Sequence, residues 1–409
     1  MNTNLKNYLV VTAGYWSFTI TDGAIRMLVV LYFHQLGYSP FEVAMLFLFY
    51  EFFGIVTNLV GGWLGARIGL NLTMHIGMGM QVVALLMLTA PDVWLTVPFV
   101  MAAQALSGIA KDLNKMSAKA SVKSIVQDGQ DSTLFRWVAV LTGSKNALKG
   151  AGFFIGAALL EWIGFRGALA VLAVMLAVVL VLTALMLPSG VGKMKSKAKF
   201  TQVFSNIPAI NWLSAARFFL FGSRDVWFVV GLPVFLYEVL GWSFTEVGSF
   251  MALWVIGYGI VQASAPRLLR HSRNEQGPSG GTARLWTFVL ALFPAAIALG
   301  LQQGWPAEAV IITGLLLFGV VFAINSAVHS YLILAYSDHD KVAMSVGFYY
   351  MANASGRLVG TVLSGWAYQV YGLEGCLWFS TAFVLAAALF SFGLPQTSTS
   401  TLSTSAATE

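Results

Sequence analysis

Charge is what this chain has least of. Asp, Glu, Lys and Arg make up only 10% of its 409 residues, where a soluble protein carries about a quarter. A single cysteine, Cys376, excludes an internal disulfide and a cysteine-rich metal centre. The five histidines are scattered at positions 34, 75, 271, 329 and 339 without HExxH-like spacing, so a membrane-embedded metal hydrolase has no ligand set. No P-loop is present either: "GVGK" near 190 lacks the spacing and the following Ser or Thr. No cofactor is expected and the chain does not read as an enzyme. Its net charge of +6 belongs with cytoplasmic loops rather than nucleic acid.

What fills the sequence instead is apolar: 58% of residues are hydrophobic. Runs long enough to cross a bilayer as helices, about 20 residues each, recur from end to end. Hydropathy and turn residues place spans near 8–35, 41–66, 71–90, 94–120, 134–160, 165–187, 207–236, 244–269, 284–303, 307–335, 342–369 and 373–394. The fold expected is an all-α polytopic membrane protein of twelve transmembrane helices. "MNTNLKN" runs directly into the first span, which is too long and too polar for a cleaved signal peptide.

Two short strings recur. "LGYSPFEV" (36–43) returns as "LGWSFTEV" (240–247), 204 residues later, and "EWIGFRGAL" (161–169) aligns with "QVYGLEGCL" (369–377) at an offset of 208. Both matches fall between equivalent spans. A six-helix unit is therefore expected twice, over 1–187 and 207–395, as parallel repeats about a membrane-normal axis. Residues 188–206 form a basic linker, and the low-complexity tail 396–409 is expected to be disordered.

Orientation follows the basic residues of short loops. With the N-terminus inside, cytoplasmic segments hold Lys6, Arg67, Lys119, Lys123, the linker lysines, Arg267, Arg270, Arg273, Arg284 and Lys341, while outer loops hold only Arg166. Both termini are expected in the cytoplasm, and the basic linker reads as a topology signal.

Of 23 basic residues, nine remain at membrane depth: Arg26, Lys111, Lys115, Arg136, Lys145, Lys149, Arg217, Arg224 and Arg357. Four acids share that depth: Asp22, Glu51, Asp112 and Asp225. A charge at the bilayer centre costs at least about 2.5 kcal/mol, so each needs a partner or a wet cavity. Four acids leave this interior net positive. Residues four apart share a helical face, which pairs Asp22 with Arg26, Lys111 with Lys115, Lys145 with Lys149, Asn325 with His329 and Asn353 with Arg357. Arg217 and Arg224 share a stripe. Under the 208 offset Lys149 falls on Arg357, so cations at matching depth in the two halves would flank a central cavity suited to a ligand with more than one anionic group. The bland readings stand beside these. Asp22–Arg26 and Asp225 with Arg224 or Arg217 read equally as internal salt bridges, Lys115 and Arg136 as interfacial snorkellers, and His329 as a packing residue. Glu51 and Asp22 are the proton-coupling candidates, with a permanent ion pair to Arg26 or a nearby lysine as the alternative.

"GGWLGARIGLN" (61–71) resembles the loop signature of the major facilitator superfamily, with Ala66 replacing its aspartate and Leu70 and Asn71 its closing basic pair. A longer likeness runs through "TDGAIRMLVVLYFHQLGYSPFEVA", "MAAQALSGIAKDLNKMSAKASVK", "LTGSKNALKGAGFF" and "SAARFFLFGSRDVWFVVGLPVFLY", which are similar to the ArsJ organoarsenical efflux permeases. That resemblance implies export of 1-arseno-3-phosphoglycerate, made when glyceraldehyde-3-phosphate dehydrogenase uses arsenate in place of phosphate. It further implies arsenate resistance in functional coupling with that enzyme, and a bacterial inner-membrane location. The substrate site expected is Lys111, Lys115, Lys145, Lys149 and Arg357, joined by Arg26, Arg217 and Arg224, with Asp22, Glu51, Asp225 and His329 as coupling or salt-bridge residues. The partners expected are the lipid bilayer and a small anionic phosphorylated substrate, with the protein a monomer. The same cations would serve an organophosphate or other organic-anion carrier or antiporter.

Overall fold

The computed structural model describes residues 3–122, 131–188, 207–269, 278–336 and 342–395; the basic linker beyond Pro188 and the C-terminal tail lie outside them. Among the described residues the regular structure is helical throughout, as a bilayer requires of segments that must satisfy their own backbone. The helices are α1 (Thr3–Gln35), α2 (Pro40–Met45), α3 (Leu48–Ile68), α4 (Leu70–Met87), α5 (Val97–Val122), α6 (Asp131–Met186), α7 (Pro208–Phe228), α8 (Gly231–Glu238), α9 (Phe244–Leu268), α10 (Gly280–Gln302), α11 (Ala307–Ala335) and α12 (Val342–Phe390). Among the described residues eight helical runs are long and apolar enough to cross a membrane. They exclude α1 and α5, which carry too many polar groups.

Two sequence-predicted turns become kinks. α6 bends at Gly164 (φ 72°) and α12 at Gly372 (φ 66°), left-handed backbone that an L side chain resists. These glycines occupy equivalent positions of "EWIGFRGAL" and "QVYGLEGCL". The other repeated string folds twice into one corner. Gly37 and Gly241 turn the chain with positive φ. Ser39 Oγ then accepts from Glu42 N at 3.3 Å while the Glu42 carboxylate accepts from Ser39 N at 2.8 Å. Ser243 and Glu246 repeat this reciprocal capping at 3.2 and 2.7 Å.

Spans two and seven, read as continuous from the sequence, are interrupted. α2 gives way to α3 over residues 46–47, and α7 to α8 over 229–230. At the second break the amides of Val230 and Gly231 both donate to Ser364 Oγ of α12, each at 3.1 Å, so the interruption leaves neither donor orphaned.

The chain forms two compact units, residues 1–199 with 232–259 and residues 200–231 with 260–409. Lipid offers no hydrophobic drive for helix pairing, so close approach at small residues carries it. In unit one α1 lies so near α6 that a Cβ on Gly152 would stand 2.4 Å from the Ile20 carbonyl oxygen. In unit two a Cβ on Gly356 of α12 would stand 2.0 Å from the Phe218 carbonyl oxygen of α7.

Candidate functional site

In unit one the α1–α6 contact brings Asp22 beside Lys149, 3.1 Å from Oδ2 to Nζ, and the Tyr50 hydroxyl of α3 donates to Asp22 Oδ1. Arg26 Nη2 donates to Glu51 Oε1 at 2.9 Å. Lys111 of α5 lies 4.0 Å from Glu51 Oε2, 3.8 Å from Asp112 Oδ2, and 4.0 Å from the centroid of the Tyr50 ring. Lys115 bridges Asp112 Oδ1 and Asn58 Oδ1, the latter at 2.7 Å. Lys145, one turn before Lys149 on α6, is half-buried.

Unit two holds a second cluster. Asp225 of α7 accepts from Arg224 Nε at 2.7 Å through Oδ1 and from Arg357 Nε of α12 at 2.9 Å through Oδ2. Arg217 is held elsewhere. Its Nε donates to Asn353 Oδ1 at 3.0 Å, its Nη1 to Ser326 Oγ at 3.3 Å, and its guanidinium covers the Phe221 ring at 3.7 Å. Gln262 of α9 donates to the same Ser326 hydroxyl at 3.2 Å. His329, one turn along α11, is fully buried, and neither ring nitrogen has a hydrogen-bond partner among the described residues.

The two clusters are alike in their central ion pair: Lys149 of α6 holds Asp22 of α1, and Arg357 of α12 holds Asp225 of α7. They also share a polarity. Lys111, Lys115, Lys149, Arg224 and Arg357 each keep 15–16% of the side chain accessible, whereas Asp22, Glu51, Asp112 and Asp225 keep 3% or less. The carboxylates stand behind the cations, and positive charge is what the accessible surface meets. Arg26 and Arg217, both 4% exposed, stand behind with the acids.

The two salt bridges open at the sequence level resolve differently. Asp22 takes Lys149 and Tyr50 while Arg26 goes to Glu51, so the two residues one turn apart on α1 serve different helices. Asp225 does take Arg224, with Arg357 as second partner and not Arg217. Arg136 lies where only the backbone is described. Tyr50, Asn58, Gln262 and Ser326 join the clusters without having stood out in the sequence, because an uncharged polar residue in a long apolar helix leaves little hydropathy signal. The i, i+7 spacing of Glu51 and Asn58 was the one available hint.

Helices long and apolar enough to cross a membrane, eight runs among the described residues, make this a multi-pass membrane protein. The sequence model of the Major Facilitator Superfamily matches residues 11–333, and the chain belongs to that superfamily. No curated protein matches it. Solved structures of the same fold include a proton-dependent oligopeptide transporter from work on substrate recognition (17% identical over 95% of this chain and 97% of that one, TM-score 0.72). Another is a POT family transporter in complex with 5-aminolevulinic acid (13% identical, 94% and 95% covered, TM-score 0.73). A third is a bacterial homologue of the iron transporter ferroportin in an outward-facing state (17% identical, 96% and 99% covered, TM-score 0.67). At these identities the likeness is one of fold.

Proposed function

We propose that the chain exports a small, multiply anionic phosphorylated organoarsenical, 1-arseno-3-phosphoglycerate, and thereby confers arsenate resistance alongside glyceraldehyde-3-phosphate dehydrogenase. The observation that carries this reading is the polarity of both clusters, with cations forward and carboxylates buried behind them. A surface of that kind replaces hydration water around phosphate or arsenate oxygens, the ammoniums as point charges and the guanidiniums as bidentate donors.

The architecture that goes with this reading is twelve spans in two six-helix repeats, with both termini on the cytoplasmic side of a bacterial inner membrane. The equivalent kinks at Gly164 and Gly372 support it, as do the equivalent capping boxes at Ser39–Glu42 and Ser243–Glu246. Transport then proceeds by alternating access. Outward movement of the anion is favoured by an inside-negative potential, by about 2.3 kcal/mol per charge per 100 mV.

The test is arsenate tolerance and cellular arsenic in a sensitive host, with and without the dehydrogenase, for wild type, Lys111→Ala and Lys149→Ala at equal membrane expression. Protection and reduced arsenic that need both proteins, and that fall at least tenfold in the lysine variants, are the expected result. No protection by correctly inserted wild type would sink the arsenical reading and leave an organophosphate or other organic-anion carrier, distinguished by substrate competition and direction of flux.

A further inference from the structure

Lys111 is held differently from the lysines near it. Lys149 donates to Asp22 Oδ2 at 3.1 Å, and Lys115 donates to Asn58 and Asp112. The Lys111 ammonium lies 3.8 Å from Asp112 Oδ2 and 4.0 Å from Glu51 Oε2, too far for a hydrogen bond to either. Among the described residues it makes none, although 15% of the side chain is accessible. Asp112 Oδ2 is buried and also lacks a hydrogen-bond partner among the described residues. An ammonium and a carboxylate oxygen left to themselves would close to about 2.8 Å.

Tyr50 accounts for the gap. Its ring lies 4.0 Å from the Lys111 ammonium and also carries the Arg26 guanidinium at 4.9 Å. An aromatic face holds a cation by its quadrupole and leaves the N–H donors unspent. At the other end of the same side chain, the hydroxyl donates to Asp22 Oδ1, which leaves Oδ2 to Lys149. Tyr50 is itself fixed. It is 1% exposed, and α5 packs on its backbone, where a Cβ on Gly108 would stand 2.3 Å from the Tyr50 carbonyl oxygen.

We propose that Tyr50 is a positioning residue, whose ring and hydroxyl keep the acids of unit one from closing on Lys111 and Lys149. Both ammoniums thereby retain donors for a tetrahedral oxyanion of the phosphate class. This rests on the anion-transport reading above and adds to it a residue that touches no substrate. Without the hydroxyl, Asp22 Oδ1 is released to take a second N–H of Lys149. Without the ring, Lys111 moves onto Asp112 Oδ2. Either change commits an ammonium to a resident acid, and anion affinity falls.

The test is calorimetric titration of purified full-length protein with 3-phosphoglycerate, which carries the phosphate end of the proposed substrate. Tyr50→Phe and Tyr50→Leu are compared alone and combined with Lys111→Ala or Lys149→Ala. Tyr50→Phe should raise the Kd about tenfold, and Tyr50→Leu about threefold more. The effect of the hydroxyl should vanish in Lys149→Ala and persist in Lys111→Ala. The further step from Phe to Leu should vanish in Lys111→Ala. A tyrosine that only packs would weaken binding equally in every background. That result, or wild-type affinity in Tyr50→Phe, overturns the positioning role and leaves the anion reading standing. Absence of binding by folded wild type overturns both. Should Tyr50→Leu fail to fold, the Phe series decides alone.

Discussion

Asp22 lies one helical turn from Arg26, yet its carboxylate is held by Lys149, 127 residues away, and by Tyr50. The reason is desolvation. At membrane depth every uncompensated charge is expensive, so each side chain takes whichever partner its helix contacts deliver within hydrogen-bond range. The Arg26–Glu51 pair is the most enclosed of these, with side chains 4% and 0% exposed at 2.9 Å. Removing one member of such a pair strands the other and costs about 3–5 kcal/mol, whereas replacing both with apolar groups is close to neutral. Glu51→Gln should therefore lower the melting temperature of the detergent-solubilised protein markedly, and Arg26→Met added to Glu51→Leu should recover most of the loss. A single variant melting with wild type would mean that the pair contributes nothing to stability. Arg26 at 2.9 Å and Lys111 at 4.0 Å flank the two oxygens of Glu51, the ion-pair arrangement that stands as the alternative to a proton-coupling role.

Helix contacts rest on a few glycines. A Cβ at Gly152 or Gly356 meets carbonyl oxygens at 2.4 or 2.0 Å, which no side-chain rearrangement relieves. In each unit that approach lies within a turn of an ion pair, Lys149–Asp22 or Arg357–Asp225. Gly152→Val should push α1 from α6, cutting anion flux at least tenfold and lowering thermal stability. Gly257→Ala, where a Cβ has nothing within 4 Å, should leave both unchanged. Equal tolerance of the two substitutions would show that close packing is not what aligns the charges. The sequence alone does not say which glycine meets which carbonyl, because small-residue spacing marks a face and leaves its neighbour unnamed. The break between α7 and α8 has a local signal in Gly231 and Pro233, since proline has no N–H for the Val229 carbonyl. Its backbone donors are satisfied by Ser364, 134 and 133 residues on, a partner that no local signal names.

Across the whole chain, two recurring strings are matched by recurring local structure. Residues 36–43 and 240–247 share a glycine, a serine and a glutamate at equal spacing, and the structure folds both into the same capped corner. Orientation rests on loop charge and is open to direct measurement. Cys376 is fully buried, so Cys376→Ser supplies a cysteine-free background. In that background Val93→Cys, at a position 86% exposed in the native chain, should react with an impermeant maleimide added to intact cells. Lys195→Cys in the basic linker should react only after permeabilisation. The reverse pattern would invert the proposed topology.

By itself the sequence determined the membrane class, the placement of apolar helices, the doubled corner and kink strings, and the excess of cations over acids at depth. These are properties of residue type and spacing, and neither changes on folding. Only the tertiary structure decided the pairing: Lys149 to Asp22, Arg26 to Glu51, and Arg357 with Arg224 to Asp225. It also decided that the cations face accessible space with the acids behind them. Helical spacing specifies the face on which a charge lies, but its partner is chosen by which helix comes closest, and that follows from close contacts between residues far apart in the chain.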